Sequence, residues 1–155
     1  FISALCDPAD EGTDYLASVV YTIVNDKAYI IDILYTNRPL EETEPLVIKQ
    51  IVDNGVDEWI YEKNFGGKSF GKNIQRELDN LNQKCEIVGY TQTQNKKARI
   101  YSNSTNVMRQ IIIPADWEYR FHDVYEHITK FSSDGVNEHD DIEDVLTKIV
   151  ELINN

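Results

Sequence analysis

"YLASVVYTIVNDKAYIIDILYT", Tyr15 to Thr36, decides the fold. Two runs rich in Val, Ile, Tyr and Thr flank the pair Asn25-Asp26. Such residues suit a pleated, half-buried surface, and an Asn-Asp pair tolerates the left-handed backbone of a tight hairpin turn. The stretch predicts two antiparallel strands. Upstream, "ISALCD" (Ile2 to Asp7) reads as another short strand, joined to the hairpin by "PADEGTD" (Pro8 to Asp14), which is dense in turn residues. The opening third is therefore a three-stranded meander.

Beyond Thr36 the period changes. "LEETEPLVIKQIVDNG" places Leu46, Val47, Gln50 and Ile51 at helical spacing and stops at Asn54-Gly55. "VDEWIYE" (Val56 to Glu62) is the next strand. "NFGGKSFGKNIQRELDNLNQ" turns helical through Ile74, Leu78 and Leu81, and "CEIVGYT" is a fifth strand. "NKKARIYSNSTNVMR" reads as one helix and "QIIIP" as a brief apolar stop. "ADWEYRFHDVYEHITKF" carries Trp117, Phe121, Val124, Tyr125 and Ile128 on one stripe of a single amphipathic helix. After the loop "SSDGVNEH", "DDIEDVLTKIVELI" is the last helix. The pattern predicts an α/β domain over residues 1–155, a mixed five-stranded sheet with helices on both faces. Trp59 and Trp117 read as core, and Cys6 and Cys85 as thiols in strands rather than a disulfide.

The 155 residues suit one domain with a real core. No apolar run approaches the roughly 18 residues that span a bilayer, which argues against a membrane role. The chain starts at Phe1 inside a strand-like run, which suggests a domain excised from a longer protein. The net charge of −12 is unevenly spread. Nine basic residues against three acids between Lys63 and Arg109 give that segment +6, and the remainder carries −18. A basic middle between acidic ends fits a polyanion site beside a cation site, or chance solvation of helices.

Two acids close strands: Asp7 after "ISALC" and Glu62 after "VDEWIY". If these strands are neighbours, their carboxyl ends meet at one edge, where open α/β sheets place ligands. Close carboxylates repel unless a cation holds them, and hard cations such as Mg²⁺ or Mn²⁺ take oxygen ligands. The plainer alternatives are an Asx-type turn at Asp7-Pro8 and a solvated strand end at Glu62. The last helix adds to the pattern. With Ile142 at zero on a helical wheel, Val145, Leu146, Ile149 and Ile153 fall within about 300° to 40°, the buried stripe. Asp141 lies near about 260° and Asp144 near about 200°, an i,i+3 pair at the margin of that stripe. Favourable interaction with the helix dipole accounts for acids in a first turn, but not for two of them on one side. Asp140 and Glu143 read as ordinary first-turn acids.

"LCDPADEGTDY", "YEKNFGG", "NKKARI" and "HDDIEDVL" stand in the order and approximate spacing of a known family. Together they resemble the C-terminal nuclease domain of phage terminase large subunits, within the ribonuclease H-like superfamily. Val145 departs from the Ala that many relatives carry after the final Asp. The resemblance implies a DNA endonuclease that cuts concatemeric viral DNA during packaging, by hydrolysis with two Mg²⁺ or Mn²⁺ ions. It implies Asp7, Glu62, Asp141 and Asp144 as metal ligands and catalytic residues, with Asp7 bridging both ions. It further implies double-stranded DNA, an N-terminal ATPase domain of the same protein, the portal and the small terminase subunit as partners, in the cytoplasm of a bacterial host. Gly66 and Gly67 would let a DNA backbone approach, or form a plain turn before a helix. Lys96, Lys97 and Arg99 would hold phosphates, or only solvate a surface. Asp14 is a candidate helper ligand. Resolvase-like cleavage of branched DNA and a non-catalytic docking module are the alternatives. A Walker A pattern is absent, "GGKSFGK" having the wrong spacing, and no CxxC or HExxH pattern points to zinc.

Overall fold

The computed structural model describes residues 1–8, 15–63, 67–130 and 140–155, the side chains of 67 and 68 excepted. Strands β1 (Ser3–Asp7), β2 (Leu16–Val24) and β3 (Lys27–Thr36) form the expected antiparallel meander. Asn25 and Asp26 both take positive φ, 52° and 63°, as a two-residue turn that follows the strand twist requires. Helix α1 (Leu40–Asn54) then crosses over to β4 (Glu58–Glu62), which lies parallel to β1. Gly55, at φ 59°, closes α1 by donating its N–H to the carbonyls of Ile51 and Val52. Helix α2 (Gly67–Asn80) leads to β5 (Glu86–Tyr90), parallel to β4.

Among the described residues the sheet has six strands, in the order β5-β4-β1-β2-β3-β6, rather than the expected five. The extra strand is β6 (Ile111–Ile112), inside "QIIIP", which pairs parallel with Ala28 and Tyr29. Two residues are too few to show a period of two. Two expected helices are each broken. "NKKARIYSNSTNVMR" folds as α3 (Lys96–Ser102) and α4 (Ser104–Gln110), because Asn103 turns back to cap α3: its Nδ2 donates to the Arg99 carbonyl at 3.0 Å. The Trp117 stretch folds as α5 (Trp117–Arg120) and α6 (His122–Thr129), interrupted at Phe121, whose φ of −129° is extended and whose ring is buried. Helix α7 (Asp141–Asn154) completes the chain.

Strand alternation assigns the two faces. Ala4, Cys6, Trp59 and Tyr61 point to one core with Val47 and Ile51 of α1 and Phe70, Ile74 and Leu78 of α2. Tyr61 lies so close on α2 that a Cβ at Gly71 would sit 2.1 Å from its Cζ, so only glycine fits there. Leu5, Val19 and Ile60 point to the other core, filled by Ile142, Val145, Leu146, Ile149 and Val150 of α7. A register shift opposite Val20/Tyr21 leaves Ile31 as the extra residue of β3. Beyond it the alternation is reset, so Ile33 and Tyr35 share the α7 face with Ala28 and Ile30. Trp59 is fully buried, Trp117 packs at the margin of the α7 core, and Cys6 and Cys85 are free thiols.

Candidate metal centre

Strand parity fixes where the strand-end acids point. Asp7 follows Leu5 by two and Glu62 follows Ile60 by two, so both side chains face α7. Because β1, β4 and β5 run parallel, their carboxyl ends share one edge, and Tyr90 lies beside Glu62 in register. The first turn of α7 arrives at that same edge. Asp7, Glu62 and Asp144 each bring a carboxylate oxygen to within 4.8 Å of one another, a donor set made wholly of oxygen. Asp141 lies alongside: its Oδ2 accepts the Tyr15 N–H at 3.2 Å. Asp7, Asp141 and Asp144 are all buried. Asp140, at the N-terminal boundary of α7, makes no side-chain cap.

The charge is high for so little solvent. Burial pushes the Asp7 carboxyl well up, Lys96 offsets part of this, and Glu62, Asp141 and Asp144 push it further. Burial raises Glu62 too, against a hydrogen bond with Asp7. The Oδ2 atom of Asp7 is shut from solvent, and the group that faces it is the Lys96 ammonium at 3.5 Å. Hard oxygen donors from separate elements, converging on one poorly solvated edge, fit a divalent cation of the Mg²⁺ or Mn²⁺ kind.

Lys96 and Arg99 sit one turn apart on α3, and both face the acids. Lys96 Nζ stands 3.5 Å from Asp7, 3.4 Å from Asp140, 3.5 Å from Asp141 and 3.6 Å from Asp144. Burial opposes its charge, but Asp7 and Asp144, then Asp140 and Asp141, outweigh that and hold it well above the usual lysine range. Arg99, read from sequence as a phosphate holder, is buried and points inward. Its Nη1 donates to Asp144 Oδ1 at 2.7 Å, and its Nε donates to Glu151 at 3.2 Å. Lys97 is exposed, with its Nζ 6.0 Å from the Tyr101 ring centre. Gly67 opens α2 just past β4. Gly66, Asp14 and His139 lie outside the described residues.

Some residues of this end went unread in sequence. Tyr90 is half-buried against the acids, and burial first, then Glu62, Asp144 and Asp7, raise its phenol. Lys148 lies 4.7 Å over its ring. Glu143, taken as an ordinary first-turn acid, is hydrogen-bonded to His127, whose Nε2 lies 3.0 Å from Glu143 Oε2. That hydrogen bond raises the His127 imidazole, against its burial. Glu151 falls near about 180° on the wheel that placed Asp144 near about 200°, so its neighbourhood was open to the same reading.

Residues 6–112 match the family model described as Terminase Bacteriophage T7, Ribonuclease H-like domain. The match ends before α7, so Asp141 and Asp144 lie beyond it. No curated protein matches the chain in sequence. Among solved structures, the nuclease domain of the large terminase subunit of bacterial virus Sf6, with manganese and beta-thujaplicinol, is 10% identical at a TM-score of 0.69, covering 96% of this chain and 87% of that one. The human cytomegalovirus terminase nuclease domain, manganese-soaked and inhibitor-bound, is 12% identical at 0.67, covering 98% and 82%. The fowlpox virus Holliday junction resolvase is 15% identical at 0.63, covering 99% of each chain. At such identities these three speak for the fold alone. The family model spans more than half of the chain, and the six-stranded mixed sheet has the ribonuclease H-like topology: the chain belongs to the ribonuclease H-like terminase nuclease family.

Proposed function

We propose that the acidic edge is the metal centre of an endodeoxyribonuclease that cuts concatemeric viral DNA during genome packaging. The observation that carries this reading is the meeting of Asp7, Glu62 and Asp144, from three separate elements, within 4.8 Å. Asp7, Glu62, Asp141 and Asp144 are the residues that would hold two Mg²⁺ or Mn²⁺ ions. Such ions supply an activated water and neutralise charge on the scissile phosphate and the departing 3′ oxygen. The chain's own contribution is to hold carboxylates at fixed positions in a poorly solvated edge, where charge interactions are strong.

Lys96 is a counter-charge of the acidic edge, standing within 3.6 Å of four carboxylates. With metal ions held by those acids, the Lys96 ammonium would be available to a DNA phosphate, with exposed Lys97 beside it. Gly67, which opens α2 just past β4, would let a DNA backbone approach. Under this reading the partners are double-stranded DNA, an attached ATPase domain, a portal and a small terminase subunit, in a bacterial host cytoplasm. A second reading keeps the chemistry and changes the substrate to branched DNA, on the full-length likeness to a Holliday junction resolvase.

Digestion of supercoiled plasmid, linear duplex and a four-way junction with Mn²⁺ or Mg²⁺ tests both readings. Wild type should cut plasmid and duplex, and Asp7→Ala should lose at least about 10²-fold in rate, the loss of several kcal/mol of charge stabilisation. Cutting confined to the junction selects the resolvase reading. No metal-dependent cutting, with Asp7→Ala indistinguishable from wild type, leaves a docking module.

A further inference from the structure

The contacts of Asp144 differ from those of the other acids. Its Oδ1 is committed to Arg99 Nη1 at 2.7 Å, while its Oδ2 faces Lys96 at 3.6 Å. Arg99 is itself held from behind: Nε and Nη2 both donate to Glu151, two turns further along α7. The guanidinium is nearly sealed, with 5% of its side chain exposed, and Asp144 has 4%. Its backbone is also fixed, since Asn95 Oδ1 caps α3 through the Ala98 N–H and the Arg99 carbonyl accepts from Ser102 and Asn103. A planar fork that bridges two carboxylates sets both position and rotation of each.

We propose that Arg99 and Glu151 form a charge-balanced clamp that positions the Asp144 carboxylate for cation binding. This rests on the metal-centre reading above. Arg99 occupies one oxygen of Asp144 and leaves the other directed at the shared edge. Glu151 cancels the guanidinium charge, so the clamp orients the ligand without repelling the incoming cation. Arg99 is thus a positioning residue, not a phosphate holder. Second partners of metal ligands characteristically act in this way.

The proposal predicts a sign that charge alone reverses. Removing a cation beside a metal site should tighten metal binding if Arg99 were only a nearby charge. The clamp predicts the opposite: Arg99→Met weakens Mn²⁺ binding by about tenfold. Arg99→Lys keeps the charge but not the fork, and should weaken binding about as much. Glu151→Gln, which retains the Arg99–Asp144 pair and so spares the fold, should weaken binding severalfold by unbalancing the guanidinium.

The experiment is calorimetric Mn²⁺ titration of the full chain for wild type, these three variants, Asp144→Asn and the Arg99→Met/Asp144→Asn double variant, with melting temperature checking the fold. The expected result is a loss in Arg99→Met and Arg99→Lys that adds nothing in the Asp144→Asn background. Unchanged or tighter binding in the folded Arg99 variants overturns the clamp. So does an equal further loss in the double variant. If the Arg99 variants do not fold, unchanged binding by Glu151→Gln overturns it. If Asp144→Asn binds Mn²⁺ like wild type, the metal-centre reading fails. If Asp144→Asn is weakened and the Arg99 variants are not, only the clamp fails.

Discussion

Helices α1 and α7 cover opposite faces of one sheet, and both open on acids. In α1 these are Glu41 and Glu42, and both are exposed. In α7 they include Asp141 and Asp144, and both are buried. A first-turn acid near a helix dipole is stabilised in either place. The difference is what stands opposite. The start of α1 faces water, whereas α7 packs its first turn onto the ends of β1 and β4, where Asp7 and Glu62 already point. The same local signal is therefore a solvated helix start on one face and half of a candidate cation site on the other. The α1 face is built of apolar side chains with Trp59 at their centre. The α7 face gives up the margin of its core to charge.

The largest effect that sharpens this contrast is on the structural face. Trp59→Ala should cost about 3–5 kcal/mol of stability, as large core truncations do. Denaturant melts would show this, while the molecules still folded should bind Mn²⁺ as wild type does. A change in affinity per folded molecule would break the division of labour between the faces.

A smaller effect, of opposite sign, belongs to the charged face. The folded Asp7 carboxyl is raised above its unfolded value by burial and by neighbouring acids, and Glu62 is raised in the same direction. A raised acid contributes most below its unfolded pKa, about 4, and that contribution is lost as pH rises through the folded value. In chelator at pH 7, Asp7→Asn should therefore be more stable than wild type by on the order of 1 kcal/mol. The gap should close as pH falls towards about 4. Melting temperatures across that range check the sign, and a gap that widens in acid would contradict it.

The smallest effect is the control. Glu41→Gln with Glu42→Gln should change stability by less than about 0.5 kcal/mol per site and leave nuclease activity untouched.

The sequence made the meander legible because Asn25-Asp26 carries the turn chemistry and its flanks carry the β residues. Asp7 and Glu62 stood out because each ends an apolar strand, and the wheel turned Asp141 and Asp144 towards the sheet. Other features depend on tertiary placement. β6 is two residues long and exists only because β3 offers it an edge. The break at Phe121 comes from burying one ring. Lys96 and Arg99 announced their charge and their shared helix face, but not that α7 would cover that face. The pattern of a basic segment is the same whether it meets phosphate or carboxylate.

The claim at the centre of this account is that the acids buried where α7 meets the ends of β1 and β4, Asp7 among them, bind a cation and the exposed first-turn acids of α1 do not. Calorimetric Mn²⁺ titration of wild type, Asp7→Asn and the Glu41→Gln/Glu42→Gln pair tests it directly. The account predicts saturable binding by wild type and by the α1 pair, and a loss of at least about tenfold in Asp7→Asn. Equal binding by all three proteins, or none by wild type, would contradict it.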